Sequence, residues 1–360
     1  MLSTQLTAAL LLTLPLHPSD AELVWTDVRE LTMEGQGWSE LKSPFDRLPA
    51  KAEAVVRAPV WKLSRDSAGI AARFVSDSTE LHCKWTLNDA QLEMSHMPAT
   101  GVSGVDLYVR DDSGSWRWLA CPRPNQQSMS AKLVSGLAPG SREYMLYLPL
   151  YNGVMSCELG VPKGATLTPA PKRPAARSKP VVFYGTSITQ GGCASRPGMP
   201  HPMILGRRLD RPIINLGFSG NGRMDLELAD LLGELDASAF VIDCLPNMNG
   251  PAVAKRVVPF VEKLRSHRPE TPILLVEDRS FTNAFLLPSK RAHHDASRRA
   301  LKAGFEELKG RGDRNLHYLK GDDLLKNEDT VDGSHPTDLG FVRQADIFEP
   351  VLRPLLSAGG

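Results

Sequence analysis

The sequence predicts a protein in two parts: an antiparallel β-sandwich of jelly-roll type, then a three-layer α/β/α domain around a parallel five-stranded sheet. Three observations carry this reading. From about Glu22 to Lys163, short apolar runs are separated by turn signals such as DDSGS, LAPGSR and YNG, the grammar of many short antiparallel strands. From residue 180 onward, β-rich runs alternate with helical stretches, which implies a parallel sheet covered on both faces. Between the two lies TLTPAPKRPAARSK (166–179), rich in proline and basic residues with almost nothing to bury, which reads as an extended linker. The expected units are residues 1–21, 22–165, 166–179 and 180–360.

Residues 1–21 form a segment of their own. An apolar stretch runs from Leu6 to Leu16, with no charge before Asp20 and a small-x-small pair at Ser19 and Ala21. A membrane span needs about 20 apolar residues, so this length suits the core of a secretory signal, although no Lys or Arg precedes it. The expectation is a secreted or periplasmic protein, or a cytoplasmic one if the segment is not a signal. No other segment is apolar and long enough for stable membrane insertion.

With a net charge of +1, 42% hydrophobic and 23% charged residues, the chain offers no basic stripe for nucleic acid. Its five cysteines include no CxxC, which argues against a structural zinc site and a dense disulfide framework. Cys193 and Cys244 fall in loops after two strands expected to be neighbours. They are the pair best placed for a bridge in an exported protein, and two separate buried thiols fit equally well.

In the first part the strand runs are AVVRAPVWKL, GIAARFVS, LHCKWTL, VDLYVR, WRWLA and EYMLYLPLY. Trp116, Trp118 and Tyr151 are read as core or inter-domain packing, with an aromatic sugar platform as the alternative. In the second part the strands are VVFYG (181–185), PIINLGF (212–218), AFVIDCL (239–245), PILLVE (272–277) and NLHYL (315–319). Helical patterns DLELADLLGEL, AKRVVPFVEKLRSH and SRRALKAGFEELKG separate them, the last stopped by Gly310 and Gly312.

Ligands of such sheets bind beyond the carboxyl ends of the strands, where the strand order reverses. The chemistry-bearing segments obey that rule. Ser187 follows the first strand, NLGFSGNGR the second, LPNMNG the third, and DGSHPTDLGF the fifth. Ser187 supplies a nucleophile at a helix N-terminus. His335 can take its proton, and Asp332, three residues earlier, can fix the imidazole's tautomer and support its charge. A Ser that comes first with Asp and His last is one of the chain orders of Ser-His-Asp hydrolases. Glycines 217, 220 and 222 let backbone N–H groups approach a ligand, and Asn247 offers a neutral donor to a developing oxyanion.

The ordered set GTSITQGG, NLGFSGNG, LPNM and DGSHPTDLG resembles the four blocks of the SGNH (GDSL-like) hydrolases, from about Lys179 to the end. It is similar in particular to the branch with an N-terminal β-sandwich domain, described as carbohydrate or acetyl esterases. The resemblance implies a flavodoxin-like domain with Ser187 as nucleophile, His335 as base and Asp332 as its orienter. It further implies an oxyanion hole of the Ser187 and Gly220 N–H groups and the Asn247 side chain. Two positions depart from the pattern. Block one reads GTS rather than GDS, and block three reads CLPNM rather than GxND, which makes Asn249 a rival donor.

Arg196 and Arg279, the latter in EDRSFTNAF beyond the fourth strand, are read as rim residues for a sugar or acid group, against surface ion pairs. His201 is a further rim residue or a loop residue before Pro202. His293 and His294 read as a solvated helical face, since adjacent positions diverge on a helix. No HExxH, Walker loop or dinucleotide fingerprint occurs, so neither metal nor organic cofactor is implied. The function expected is a serine esterase removing acetyl or another short acyl group from a small-molecule or polysaccharide ester. The alternatives are a lysophospholipase or thioesterase for longer chains, and a glycan-binding protein whose hydrolase domain has lost activity.

Overall fold

The computed structural model describes residues 22–357, so the apolar segment expected to be a signal lies outside the described residues. The first part holds ten strands: β1 (Leu23–Asp27), β2 (Thr32–Glu34), β3 (Ala71–Ser76), β4 (Glu80–Leu87), β5 (Asp106–Arg110), β6 (Trp116–Ala120), β7 (Ser128–Ser135), β8 (Arg142–Tyr147), β9 (Val154–Pro162) and β10 (Leu167–Pro169). They make two antiparallel sheets, ordered β1-β9-β4-β7 and β10-β3-β8-β5-β6, with β2 pairing on β3. Alternate residues of both sheets, among them Phe74, Trp85, Leu107, Tyr144 and Leu159, meet in one apolar core. That inward face is the burial a two-sheet sandwich requires.

The run AVVRAPVWKL is not a strand. It enters helix α1 (Ala58–Ser64), with a proline in its first turn. Proline is pre-organised at that position, and Val56, just before the helix, is buried together with Val60 within it. These valines, with Leu48 and Ala52, pack into the core of the second part, among Tyr184, Leu216 and Phe218. Segment 48–60 thus belongs to the covalent first part and to the apolar interior of the second. The stretch 166–179 contains β10, paired on β3, and the short helix α3 (Ala175–Ser178). A further short helix, α2 (Ala99–Val102), precedes β5.

The second part is built on β11 (Val181–Gly185), β12 (Ile213–Gly217), β13 (Ala239–Asp243), β14 (Ile273–Val276) and β15 (Leu316–Leu319), all parallel, in the order β12-β11-β13-β14-β15. Alternate side chains of these strands feed two cores. One lies under α6 (Leu226–Gly233), α7 (Gly250–His267) and α8 (Pro288–Gly310). The other lies under α5 (His201–Leu209) and α9 (Asp338–Ser357). Burial on both faces explains why these strands read as unbroken apolar runs. The strand order reverses between β11 and β13, so the crevice at the carboxyl ends of these two strands and β12 is the place where this topology puts a ligand.

Candidate active site

β11 is buried throughout and ends at Gly185; the chain then turns into the single-turn helix α4 (Ser187–Gln190). Thr186 caps that helix, its side chain accepting from Ile188 N–H at 3.3 Å, and Gly191 closes it with φ 116°. Ser187 therefore stands at the first helical position, with its side chain facing the crevice-side loop that holds His335. Its Oγ is 2.8 Å from His335 Nε2.

The His335 loop is a tight local structure. Val331 N–H donates to His335 O at 2.9 Å, the Thr330 hydroxyl donates to the same carbonyl, and Gly333 turns the chain with φ 92°. Asp332 reaches the imidazole at Nδ1, 2.7 Å away, and also accepts the backbone N–H groups of His335 (2.8 Å) and Ser334 (3.0 Å). Partial burial pushes the Asp332 carboxyl up, but these hydrogen bonds outweigh it and hold the group below its usual range. An ionised Asp332 at Nδ1 sets the tautomer whose Nε2 lone pair faces the serine hydroxyl.

The loop after β12 runs Phe218–Arg223. Gly222 packs so closely that a Cβ there would sit 1.9 Å from the Gly185 carbonyl oxygen, while Gly220 is exposed with φ 68°. β13 ends at Asp243 rather than near Leu245, and Leu245–Asn247 form a 3-10 turn beyond it. The Asn247 amide is assigned from its neighbours: with its oxygen towards the loop it accepts from Asn221 N–H (3.0 Å) and Gly222 N–H (3.2 Å), N–H groups that also donate to the Phe218 carbonyl. Its NH₂ group is then the end left to donate elsewhere. Asn249 is occupied differently: its side chain caps α7 by accepting from Ala252 N–H at 3.0 Å.

Arg279 does not line a rim. It is buried, doubly paired with Asp243 at the end of β13, and also donates to Gln344 Oε1 at 2.7 Å. An unpaired buried Asp243 would be costly, and this explains why the arginine turns inward. Arg196 is likewise taken up, by Asp106 Oδ2 (2.8 Å) and the Tyr108 hydroxyl of β5, and it stacks over Trp118. It ties the two parts together. His201 is fully buried among Phe183, Phe341 and Phe348, and burial, with Arg279 nearby, pushes its pKa far below the usual histidine range. His294 is buried rather than solvated: Nδ1 lies 2.8 Å from Asp278 Oδ2, and Nε2 accepts from Phe281 N–H. All five cysteines, including Cys193 and Cys244, carry free thiols. Among the described residues no group of three or more His, Cys, Asp or Glu side chains is placed to hold a metal ion.

Three residues of the first part reach the site; Tyr151 is read from the sequence as core or inter-domain packing, whereas His96 and Arg57 carry no signal in the sequence that marks them. The Tyr151 hydroxyl donates to the Ser187 carbonyl at 3.2 Å. The His96 ring centroid is 6.3 Å from that of His335. Arg57 grips the loop that carries Gly220. Trp116 packs against the α/β core, whereas Trp118 is exposed.

Comparison with known proteins agrees with this architecture. Residues 178–353 match the model of the GDSL-like lipase/acylhydrolase family, and residues 23–167 match that of the N-terminus of SGNH-hydrolase-type esterases. A crystal structure named for its likeness to GDSL lipases, from Bacteroides ovatus ATCC 8483, is 32% identical, with a TM-score of 0.87 over 93% of this chain and 98% of that one. The chain belongs to the GDSL-like lipase/acylhydrolase family. It is an ester-hydrolysing enzyme of the SGNH/GDSL type. Its N-terminal family model is named for the sequence GxDLY, which reads Gly104-Val105-Asp106-Leu107-Tyr108 here, so the residues that grip Arg196 lie in that motif.

More distant structures share the fold. The salicylyl-acyltransferase SsfX3 of a tetracycline biosynthetic pathway is 20% identical, with a TM-score of 0.72 over 94% of this chain and 98% of that one. An acetyl xylan esterase from Butyrivibrio proteoclasticus is 14% identical, with a TM-score of 0.57 over 94% of this chain and all of that one. A search of curated proteins returned no match. Among the described residues no helix is long and apolar enough to cross a membrane.

Proposed function

We propose that this chain is a serine esterase that removes acetyl or another short acyl group from carbohydrate outside the cytoplasm. The observation that carries the proposal is the hydrogen-bonded line Ser187–His335–Asp332 at the switch point of the sheet. In the reaction, Ser187 Oγ attacks the acyl carbon while its proton passes to His335 Nε2. The oxyanion meets the N–H groups of Ser187 and Gly220 and the amide of Asn247. Collapse breaks the bond to the sugar oxygen, which takes the proton from His335 Nε2 and leaves as a free hydroxyl. Water, deprotonated by the same imidazole, then attacks the acyl-enzyme and frees the acid and Ser187. Asp332 stays ionised throughout and supports the imidazolium.

The acetyl xylan esterase of the same fold favours an acetylated sugar as substrate, and the Leu6–Leu16 segment favours export. One observation favours a second reading, longer acyl chains. Phe285 and Leu286 are 69% and 72% exposed, on the segment whose Thr282 N–H bonds Gly333 O in the His335 loop. Phe281, Ala284 and Phe285 also border a cavity of about 530 Å³, lined as well by residues 325–328, which lie shortly before the His335 loop in the chain.

A series of p-nitrophenyl esters from acetate to palmitate separates the readings. Highest kcat/KM on acetate is expected. A maximum at long chains would move the assignment to a lipid or thioester substrate, and no turnover of any ester would leave a glycan-binding protein.

A further inference from the structure

The loop that presents Gly220 is a short turn in which Asn221 N–H (2.8 Å) and Gly222 N–H (3.0 Å) donate to the Phe218 carbonyl. None of these bonds fixes the turn against the rest of the site, yet a backbone N–H in an oxyanion hole must be held in place before the reaction begins. The residues on either side of Gly220 are fixed from outside the loop. On one side, Ser219 N–H donates to Gln190 Oε1 at 3.0 Å, and Gln190 Nε2 donates in turn to Asp66 Oδ2 at 2.9 Å and to the Leu150 carbonyl. On the other side, Asn221 is gripped at two points by one guanidinium. Arg57 Nη1 donates to Asn221 Oδ1 at 2.7 Å and Nη2 to Asn221 O at 2.8 Å. The same Arg57 pairs with Asp225 Oδ2 through Nε (3.0 Å) and Nη2 (2.8 Å), and Arg256 holds the other oxygen of Asp225.

Asp66, Leu150 and Arg57 all precede residue 166. The part of the chain that carries the β-sandwich therefore holds both flanks of Gly220. A further anchor comes from within the α/β domain, where Asn221 N–H and Gly222 N–H meet the Asn247 amide oxygen. Arg57 thereby sits one residue from each of two proposed oxyanion donors: Gly220 through the peptide to Asn221, and Asn247 through the Asn221 N–H. A planar fork with several donors in fixed directions can bind a carbonyl, an amide oxygen and a carboxylate at once; an ammonium cannot keep all three in register.

We infer that Arg57 is a positioning residue for the oxyanion hole, so that the N-terminal part is an obligate component of the catalytic site and not solely a module for binding substrate. The inference rests on the esterase reading above. A purely structural role predicts something different: the ion pair with Asp225, which lies at the head of α6, would be all that Arg57 supplies, and lysine would replace it.

The test compares Arg57→Lys and Arg57→Gln in the full chain, with p-nitrophenyl acetate as substrate and phenylboronic acid as a probe whose tetrahedral serine adduct places an oxygen in the hole. Arg57→Lys is expected to keep Tm near wild type, because it can still pair with Asp225. Both variants are expected to lower kcat about tenfold, less than the loss of a whole donor, with KM changed less than twofold. The inhibition constant of the boronic acid should rise in the same proportion as kcat falls. Wild-type kcat in Arg57→Lys overturns the inference, even if Arg57→Gln does not fold. So does a fall in kcat with an unchanged inhibition constant. A wild-type protein inactive on every ester would instead overturn the esterase reading, and this inference with it.

Discussion

The Asn249 side chain accepts the Ala252 N–H at 3.0 Å and so closes the first turn of α7. The more distant of the two asparagines after β13 is thus engaged at a helix end, while Asn247 faces the Gly220 loop with its amide oxygen tied down. Asn247→Ala is expected to lower kcat by about 10²- to 10³-fold with little change in KM, the usual loss for one oxyanion donor. Asn249→Ala should leave kcat unchanged and cost about 1 kcal/mol of stability through the lost cap. Steady-state kinetics and a urea melt on both variants check this. The opposite ranking would assign the donor to Asn249, and two silent variants would leave the hole to backbone N–H groups alone.

The Asp332 carboxylate bonds His335 at Nδ1 and at its backbone N–H, so it orients the base without being the base. His335→Ala should abolish turnover. Asp332→Asn should retain more activity, at about 10²- to 10⁴-fold below wild type, because the imidazole remains but in a poorly held tautomer. Equal rates for wild type and Asp332→Asn in a stopped assay on p-nitrophenyl acetate would reject the pairing.

Arg279 shows how far position along the chain can mislead. It follows β14 at the edge where ligands bind, and that much was legible, but its guanidinium turns inward to Asp243 and Gln344. Arg279→Ala is expected to destabilise the fold by about 3–5 kcal/mol, since it strands a buried carboxylate. A loss of stability by chemical denaturation with KM for a small ester unchanged is the expected result. A large KM increase at wild-type stability would restore Arg279 to the substrate rim.

Asp210, at the end of α5, gathers Arg110 of β5 and Arg173 and Arg177 of the 166–179 stretch. Partial burial pushes its carboxyl up, but the arginines prevail and hold it down to about 2, from an ordinary 3.8. A carboxyl depressed in the folded state stabilises above its unfolded pKa, and that contribution fades as pH falls towards the folded value. Asp210→Asn should therefore lower Tm at pH 7, with the gap to wild type constant down to about pH 4 and narrowing below it. Thermal melts across that range check the sign; a gap that widens in acid would contradict it.

Much of the α/β domain was legible because its strands are buried on both faces and punctuated by glycine. VVFYG, for example, is both the apolar run and the strand. That Ser187, Asp332 and His335 would meet was legible because each sits in a short motif whose residue types have few other joint uses. The AVVRAPVWKL run was not, since its apolar residues fit a short strand as well as one helical turn, and only packing against the second core decides between them. Arg57 and His96, unlike Tyr151, were out of reach for a different reason. They lie in ordinary stretches and gain their roles only when chain segments far apart in sequence meet. The inward pairing of Arg279 and the capping by Asn249 are likewise contacts, with no local signature.

The most direct measurement is the mass of the protein after treatment with diisopropyl fluorophosphate, which phosphorylates a serine made nucleophilic by a neighbouring base. The expected result is one phosphoryl adduct, mapped to Ser187 by peptide mass spectrometry, with esterase activity lost in step with labelling and no adduct in Ser187→Ala. Activity lost through an adduct on another residue, or full activity with Ser187 modified, would contradict the mechanism.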